Sequence, residues 1–199
     1  MTNPFNVAAL QTRLKLTLDG VAGPKTFTAI FAKFGASATI APKLGASAAI
    51  NFPKFDISDT ALRLVHFIGQ TAHESGNYRY MQELGGPAYF ARYDGRKDLE
   101  NTRPGDGAAY HGRGIVQLTG RANYRAYGLA LGLDLEGDPD QVADPAIGLL
   151  VACHFWKSHG LNELADADNI EKITRKINGG DNGLADRKNQ TLRAKALIL

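Results

Sequence analysis

HESGNYRYMQE, residues 73–83, is the stretch on which the reading of this chain turns. It carries two carboxylates, Glu74 and Glu83, nine residues apart. On one unbroken helix that spacing would turn them about 180° from each other and separate them by roughly 13.5 Å along the axis, too far to share a substrate. Gly76 removes the obstacle. A glycine two residues beyond Glu74 predicts a helix stop, after which an extended NYRYMQE folds back and sets Glu83 across a cleft from Glu74. Acids so placed suit hydrolysis of a sugar polymer: a proton donor on one side of the glycosidic bond and a carboxylate on the other, with water admitted at a separation of roughly 6.5 to 9.5 Å.

Upstream, a helix predicted to start with caps near Asp56–Ser58 carries the apolar stripe Ala61, Leu64, Val65, Ile68 and Ala72 and leads straight to Glu74. The end of an apolar helix would desolvate that carboxyl and place it at the negative pole of the helix dipole, as a general acid requires. Glu83, among Tyr80, Gln82 and Gly85, sits in a more polar setting suited to a base. Downstream, a polar insert over residues 87–110 is read as part of a cleft wall. The run YHGRGIVQLTGRANY, residues 110–124, then carries Gln117, Thr119 and Asn123. NYRYMQE and GIVQLT have the apolar character of a small antiparallel hairpin.

Further helices are predicted from Asp144 to Gly160, from Asp168 to Gly179 and from about Leu184 toward Leu199. The expected fold is mainly α, a helical bundle with a β-hairpin flanking a cleft. The glycines of HGRG have neither Rossmann nor P-loop spacing, and HESGN has Asn77 where a zinc helix would need its second His, so no metal and no cofactor are expected.

Residues 1–35 predict a helix capped by Asn6, the turn LDGVAGPKT and a second helix, TFTAIFAKF. Residues 36–54, rich in Ala, Gly and Ser, are read as a linker, and 55–199 as the catalytic domain. The chain has 199 residues, 44% hydrophobic, and can bury one good core. A net charge of +3 and a pI near 9.0 fit a polyanionic partner such as a cell wall. Cys153, the only cysteine, lies in an apolar helical run and is read as an inert buried thiol. The opening MTNPFNVAALQ has no leader pattern, and no run approaches a membrane span. The C-terminal stretch from Lys172 carries seven basic residues against two acidic ones, a face that could contact an anionic envelope surface.

The segment ALQTRLKLTLDGVAGPKTFTAI resembles the peptidoglycan-binding repeat, matching its leucine-glutamine start, its DGxxGPxT loop and its closing alanine-isoleucine. HESGNYRYMQE, HGRGIVQLTGRANY and TRKINGGDNGLADR together resemble the family 19 glycoside hydrolases, in their phage endolysin branch, over about residues 55–199. The resemblance implies an inverting, lysozyme-like hydrolase with Glu74 as general acid, Glu83 as general base and Thr119 helping to hold the water. It also implies that Gln117, Asn123 and Asn178 contact sugar hydroxyls and N-acetyl groups, and that Arg187 braces the cleft floor.

Plant members carry the base further along the chain, so Asp94, Asp98 and Glu100 remain alternatives for it. Tyr78, Tyr80 and Tyr110 either stack on sugars or fill the hairpin; Tyr80 is placed with the substrate-binding set. His73 is expected to make one backbone hydrogen bond. Arg113 either supports the acids or forms a structural ion pair. The function expected is an endolysin cutting the β-1,4 glycan strands of peptidoglycan. Such a protein would be monomeric, would not bind nucleic acid, and would be held in the host bacterial cytoplasm until lysis releases it to the wall. A chitinase and a non-catalytic wall-binding protein are the alternatives.

Overall fold

Helix α4, Ala61–Glu74, runs through the middle of the molecule, with ten of its fourteen residues buried. The structure is a computed structural model that describes residues 5–199. The predicted stripe is therefore only part of what α4 buries: His66, Phe67, Gly69, Gln70 and Thr71 are enclosed as well, because neighbours pack on every side. Its cap is Thr60, whose hydroxyl accepts from Arg63 N at 3.2 Å, rather than a residue of 56–58.

Around α4 lie α1 (Val7–Arg13), α2 (Pro24–Lys33) and α3 (Ala41–Lys54) on the N-terminal side. Short α5 (Pro87–Phe90) and α6 (Asp106–Ala109) fall in the insert, followed by α7 (Arg121–Leu131). The rest of the shell is α8 (Pro145–Ser158), α9 (Leu161–Asp166), α10 (Ile170–Asn178) and α11 (Leu184–Ile198). Among the described residues no helix is long and apolar enough to cross a membrane.

Edge-on aromatic pairs link four of these helices, Phe27 to Phe52, Phe52 to Phe67 and Phe67 to Trp156, with centroids 5.1 to 5.3 Å apart. Cys153 is buried in this core, and burial pushes its thiol well up. A smaller cluster of Tyr110, Leu118, Tyr124, Leu135, Val142 and Val151 lies under the HGRG run, and Val116 packs against both clusters.

Two expectations are corrected. Residues 36–54 are not a linker: most of the segment is α3, which buries Leu44, Ala48 and Phe52. Its small residues let helices touch, since a Cβ on Gly45 would stand 2.6 Å from Thr28 N and 2.7 Å from Pro24 O in α2. Residues 5–35 are equally continuous with the core, contributing Leu10, Phe27, Ile30, Phe31 and Phe34; residues 1–4 of the element expected over 1–35 lie outside the described residues.

The hairpin is likewise reduced, among the described residues, to isolated antiparallel bridges, Gln82 with Arg113 and Arg113 with Leu118. Gly114 and Gln117 take positive φ (73° and 53°), which breaks the extended run before a ladder can form.

Candidate active site

Past Glu74 the chain reverses through three successive left-handed residues, Gly76, Asn77 and Tyr78, at φ 57°, 63° and 61°. Only the first is a glycine, and the other two are disfavoured by about 1–2 kcal/mol each. Burial offsets this. The Tyr78 ring is fully enclosed and packs edge-on against Phe31, and its hydroxyl meets Thr71 Oγ1 at 2.8 Å and donates to Ile68 O at 3.2 Å. Asn77 N caps Ala72 O at 2.7 Å, and Gln190 donates to Asn77 Oδ1. The reversal carries residues 81–83 onto 112–114, where Gly114 N donates to Met81 O and Glu83 N to Gly112 O, both at 2.8 Å.

Glu74, the last residue of α4, keeps 21% of its side chain exposed. Its Oε1 accepts from Arg187 at 2.5 Å, while Oε2 takes no hydrogen bond among the described residues. The acid expected to sit desolvated at the end of an apolar helix is ion-paired there. Arg187, buried in α11, also donates to Gln70 Oε1 at 2.6 Å and to Asn182 O at 3.2 Å. Gln70 was not singled out from the sequence, although it precedes Glu74 by one helical turn and so shares its face.

Asn178 spends both polar atoms on the turn that follows α10, donating to Asn182 O and accepting from Gly180 N, each at 2.8 Å. His73 pairs through Nδ1 with the Asp186 carboxylate at 2.6 Å, not with backbone as expected.

Glu83 is held at both oxygens. Oε1 accepts from Arg92 at 2.6 Å and from the Tyr93 hydroxyl at 3.0 Å; Oε2 accepts from Gly112 N at 3.3 Å. Arg92 in turn lies over the Tyr89 ring at 3.8 Å. Arg92 and Tyr93 were missed in the sequence, where the only signal was an arginine flanked by tyrosines in YFARY.

The other acids of the insert have structural partners. Asp94 accepts from Gly105 N and Gly107 N, Asp98 pairs with Arg96, and Glu100 pairs with Arg125. Arg125, chiefly by hydrogen bonding, also holds Glu136 down at about 2.

Gly112 joins Glu83 to the rest of the site. A Cβ there would stand 2.8 Å from Gln117 Oε1 and 3.3 Å from Thr119 Oγ1, so only a glycine lets these side chains lie against the backbone beside the carboxylate. Thr119 donates to Gln117 O at 2.9 Å, Asn123 to Thr119 O at 2.7 Å, and all three line a cleft of about 400 Å³. Tyr80, 49% exposed, lies apart from them, in a separate groove with Lys43, Arg79 and Gln82.

Tyr110 is core, its hydroxyl bonded to Glu136 O. Arg113 is structural: it is buried, with donors to Ala109 O and the Tyr124 hydroxyl and an ion pair to Asp140 at 2.6 Å. Four of the seven basic residues of the C-terminal stretch are paired with acids, Arg175 with Asp181, Arg187 with Glu74, Lys188 with Glu171 and Lys195 with Asp168.

A mainly helical fold with Glu74 at the end of its buried central helix and Glu83 beyond the chain reversal suits a carbohydrate-cleaving class. Residues 25–171 match the profile of glycoside hydrolase family 19, described as chitinase class I. A glycosyl hydrolase family 19 domain-containing protein of Haemophilus influenzae is 33% identical over 150 residues, 61% of this chain and 72% of that protein. An endochitinase of Arabidopsis thaliana is 31% identical over 170 residues, 83% of this chain but only 58% of its own length. Chitinase C from Streptomyces griseus superposes with a TM-score of 0.69 at 25% identity, over 86% of this chain and 76% of that one. This chain belongs to glycoside hydrolase family 19.

Proposed function

We propose that this protein hydrolyses β-1,4 bonds in glycans of N-acetylated amino sugars, with bacterial peptidoglycan as substrate, in the manner of a phage-type endolysin. Glu74 donates a proton from Oε2, which takes no hydrogen bond among the described residues, to the glycosidic oxygen, while Arg187, itself held by Gln70, fixes the carboxyl. Glu83 takes a proton from the water that attacks the anomeric carbon from the opposite face. The carbon–oxygen bond to the leaving sugar breaks, the new hydroxyl has inverted configuration, and solvent restores both carboxyl groups. Thr119, beside Gly112, steadies the water; Gln117 and Asn123 bind sugar in the cleft that Thr119 also lines. Asn178 acts through the turn that carries Arg187, and Tyr80 offers a stacking face further out.

The observation that carries this reading is the meeting of Glu83, Gly112, Gln117 and Thr119. A chitinase is the second reading, favoured by the names of the relatives, which include endochitinases. The peptidoglycan-binding resemblance of residues 9–30 favours the wall.

The test is digestion of purified peptidoglycan, with chitin oligomers in parallel, by wild type and by Glu74→Gln and Glu83→Gln. New reducing ends from peptidoglycan, falling by about 10²–10⁴ in each variant, are the expected result. Solubilised wall without new reducing ends would mean amide cleavage, and chitin-only activity would select the second reading. Activity is expected to survive excess chelator; a requirement for added zinc or calcium would overturn the mechanism.

A further inference from the structure

Gln117, Thr119 and Asn123 form one side of the 400 Å³ cleft, and Leu99, Val116, Tyr127, Phe155 and His159 form the other. No role in the hydrolytic chemistry above falls to this second side. It is apolar except at two points. His159 Nδ1 lies 2.8 Å from the Phe155 carbonyl oxygen, which can only accept, and 3.2 Å from Ser158 Oγ, so in the neutral imidazole Nδ1 carries the proton and Nε2 is a bare acceptor. The imidazole stacks on the Phe155 ring at 4.0 Å, which fixes its direction. The half-buried Tyr127 hydroxyl joins no hydrogen bond among the described residues, and burial alone pushes its pKa up, keeping it a donor.

One acceptor and one donor on an apolar wall match a secondary amide carried on an aliphatic stem. Chitin offers only its acetamido group, a secondary amide that ends in a single methyl. Alternate sugars of peptidoglycan bear a lactyl ether joined by an amide to a peptide.

We infer that this wall is the recognition site for the lactyl-peptide substituent, with His159 Nε2 accepting the first amide N–H and the Tyr127 hydroxyl donating to the lactyl carbonyl. Leu99, Val116 and Phe155 then cover the lactyl methyl group. The inference rests on the glycan-hydrolase reading and adds which substituent the cleft selects.

The test compares kcat and KM on peptide-bearing glycan strands and on the same strands stripped by an amidase, which leaves a lactyl carboxylate. Wild type is expected to prefer the peptide-bearing strands. That preference should fall about tenfold, through KM, in His159→Phe and in Tyr127→Phe, the scale of one lost hydrogen bond. His159→Gln, which keeps an acceptor, should recover part of it. Equal loss on both strands, or an unchanged ratio, overturns the inference while leaving the hydrolase reading intact. Failure of wild type to cleave either strand overturns the peptidoglycan reading and this inference with it.

Discussion

Gly112 is the residue whose replacement separates function from folding. The nearest atom to a Cβ there is the amide oxygen of Gln117, the far end of a flexible side chain, so Gly112→Ala can be accommodated by moving Gln117. The variant is expected to melt within about 2 °C of wild type while kcat/KM drops about tenfold, because the moved group borders the base. A large fall in Tm would show that the glycine serves packing instead.

His66 makes a different prediction. It is fully buried, with Nε2 2.7 Å from Asp168 Oδ1, and burial lowers its pKa despite that carboxylate. Unfolded His66 takes up a proton near pH 6.5, whereas the folded residue does so only at lower pH. Its contribution is therefore complete above about pH 6.5 and is lost as pH falls toward the folded value. Asp168, held below the usual carboxylate range by Lys195 and His66 although burial opposes this, adds to the loss only near pH 4 and under. Urea midpoints at pH 7.5 and 5.5 should show the decline, and His66→Gln should flatten it.

At the scale of elements, α4 and α11 meet so closely at Gly69 that a Cβ would lie 2.5 Å from Thr191 Oγ1 and 2.8 Å from its Cα. Because the obstruction includes backbone, Gly69→Ala should cost about 1–3 kcal/mol or more, readable as a shift in denaturant midpoint. The same contact explains which elements the sequence made legible. Helix α4 can be read from its apolar stripe, and α8 and α10 from their start and stop residues, though the caps of α4 and α10 fall at Thr60 and Asn169.

Helix α3 was obscured because the small residues that permit close packing are those of a flexible connector. The reversal after Glu74 was legible because Gly76 announces it. Arg92 was not, because nothing in YFARY marks the carboxylate it meets, nor was the wall, where Phe155 and His159 join Tyr127 from a separate part of the chain.

For the whole molecule, the shared core decides what a truncation can do. Leu10, Phe27, Ile30, Phe31 and Phe34 belong to the same cluster as Phe52, Phe67 and Trp156. Deleting residues 1–35 would bare Phe52 and Tyr78, and the latter holds the reversal that delivers Glu83. The shortened chain is expected to lose both its cooperative melting transition and its hydrolytic activity. An active, folded fragment of 36–199 would restore the modular view. The intact protein should unfold in one transition, with circular dichroism and tryptophan fluorescence coincident.

Helix α1 also reaches the far end of the chain, where Arg13 donates to the carbonyls of Leu197 and Leu199 at 3.1 and 3.0 Å. In space the polypeptide is thus close to a ring, with α1 and α11 both packed into the shared core. Such a ring can be re-spliced: a short glycine-serine bridge would let α1 follow α11, with the new ends opened at an exposed turn elsewhere, and the circular permutant would keep the same contacts in a different order of synthesis.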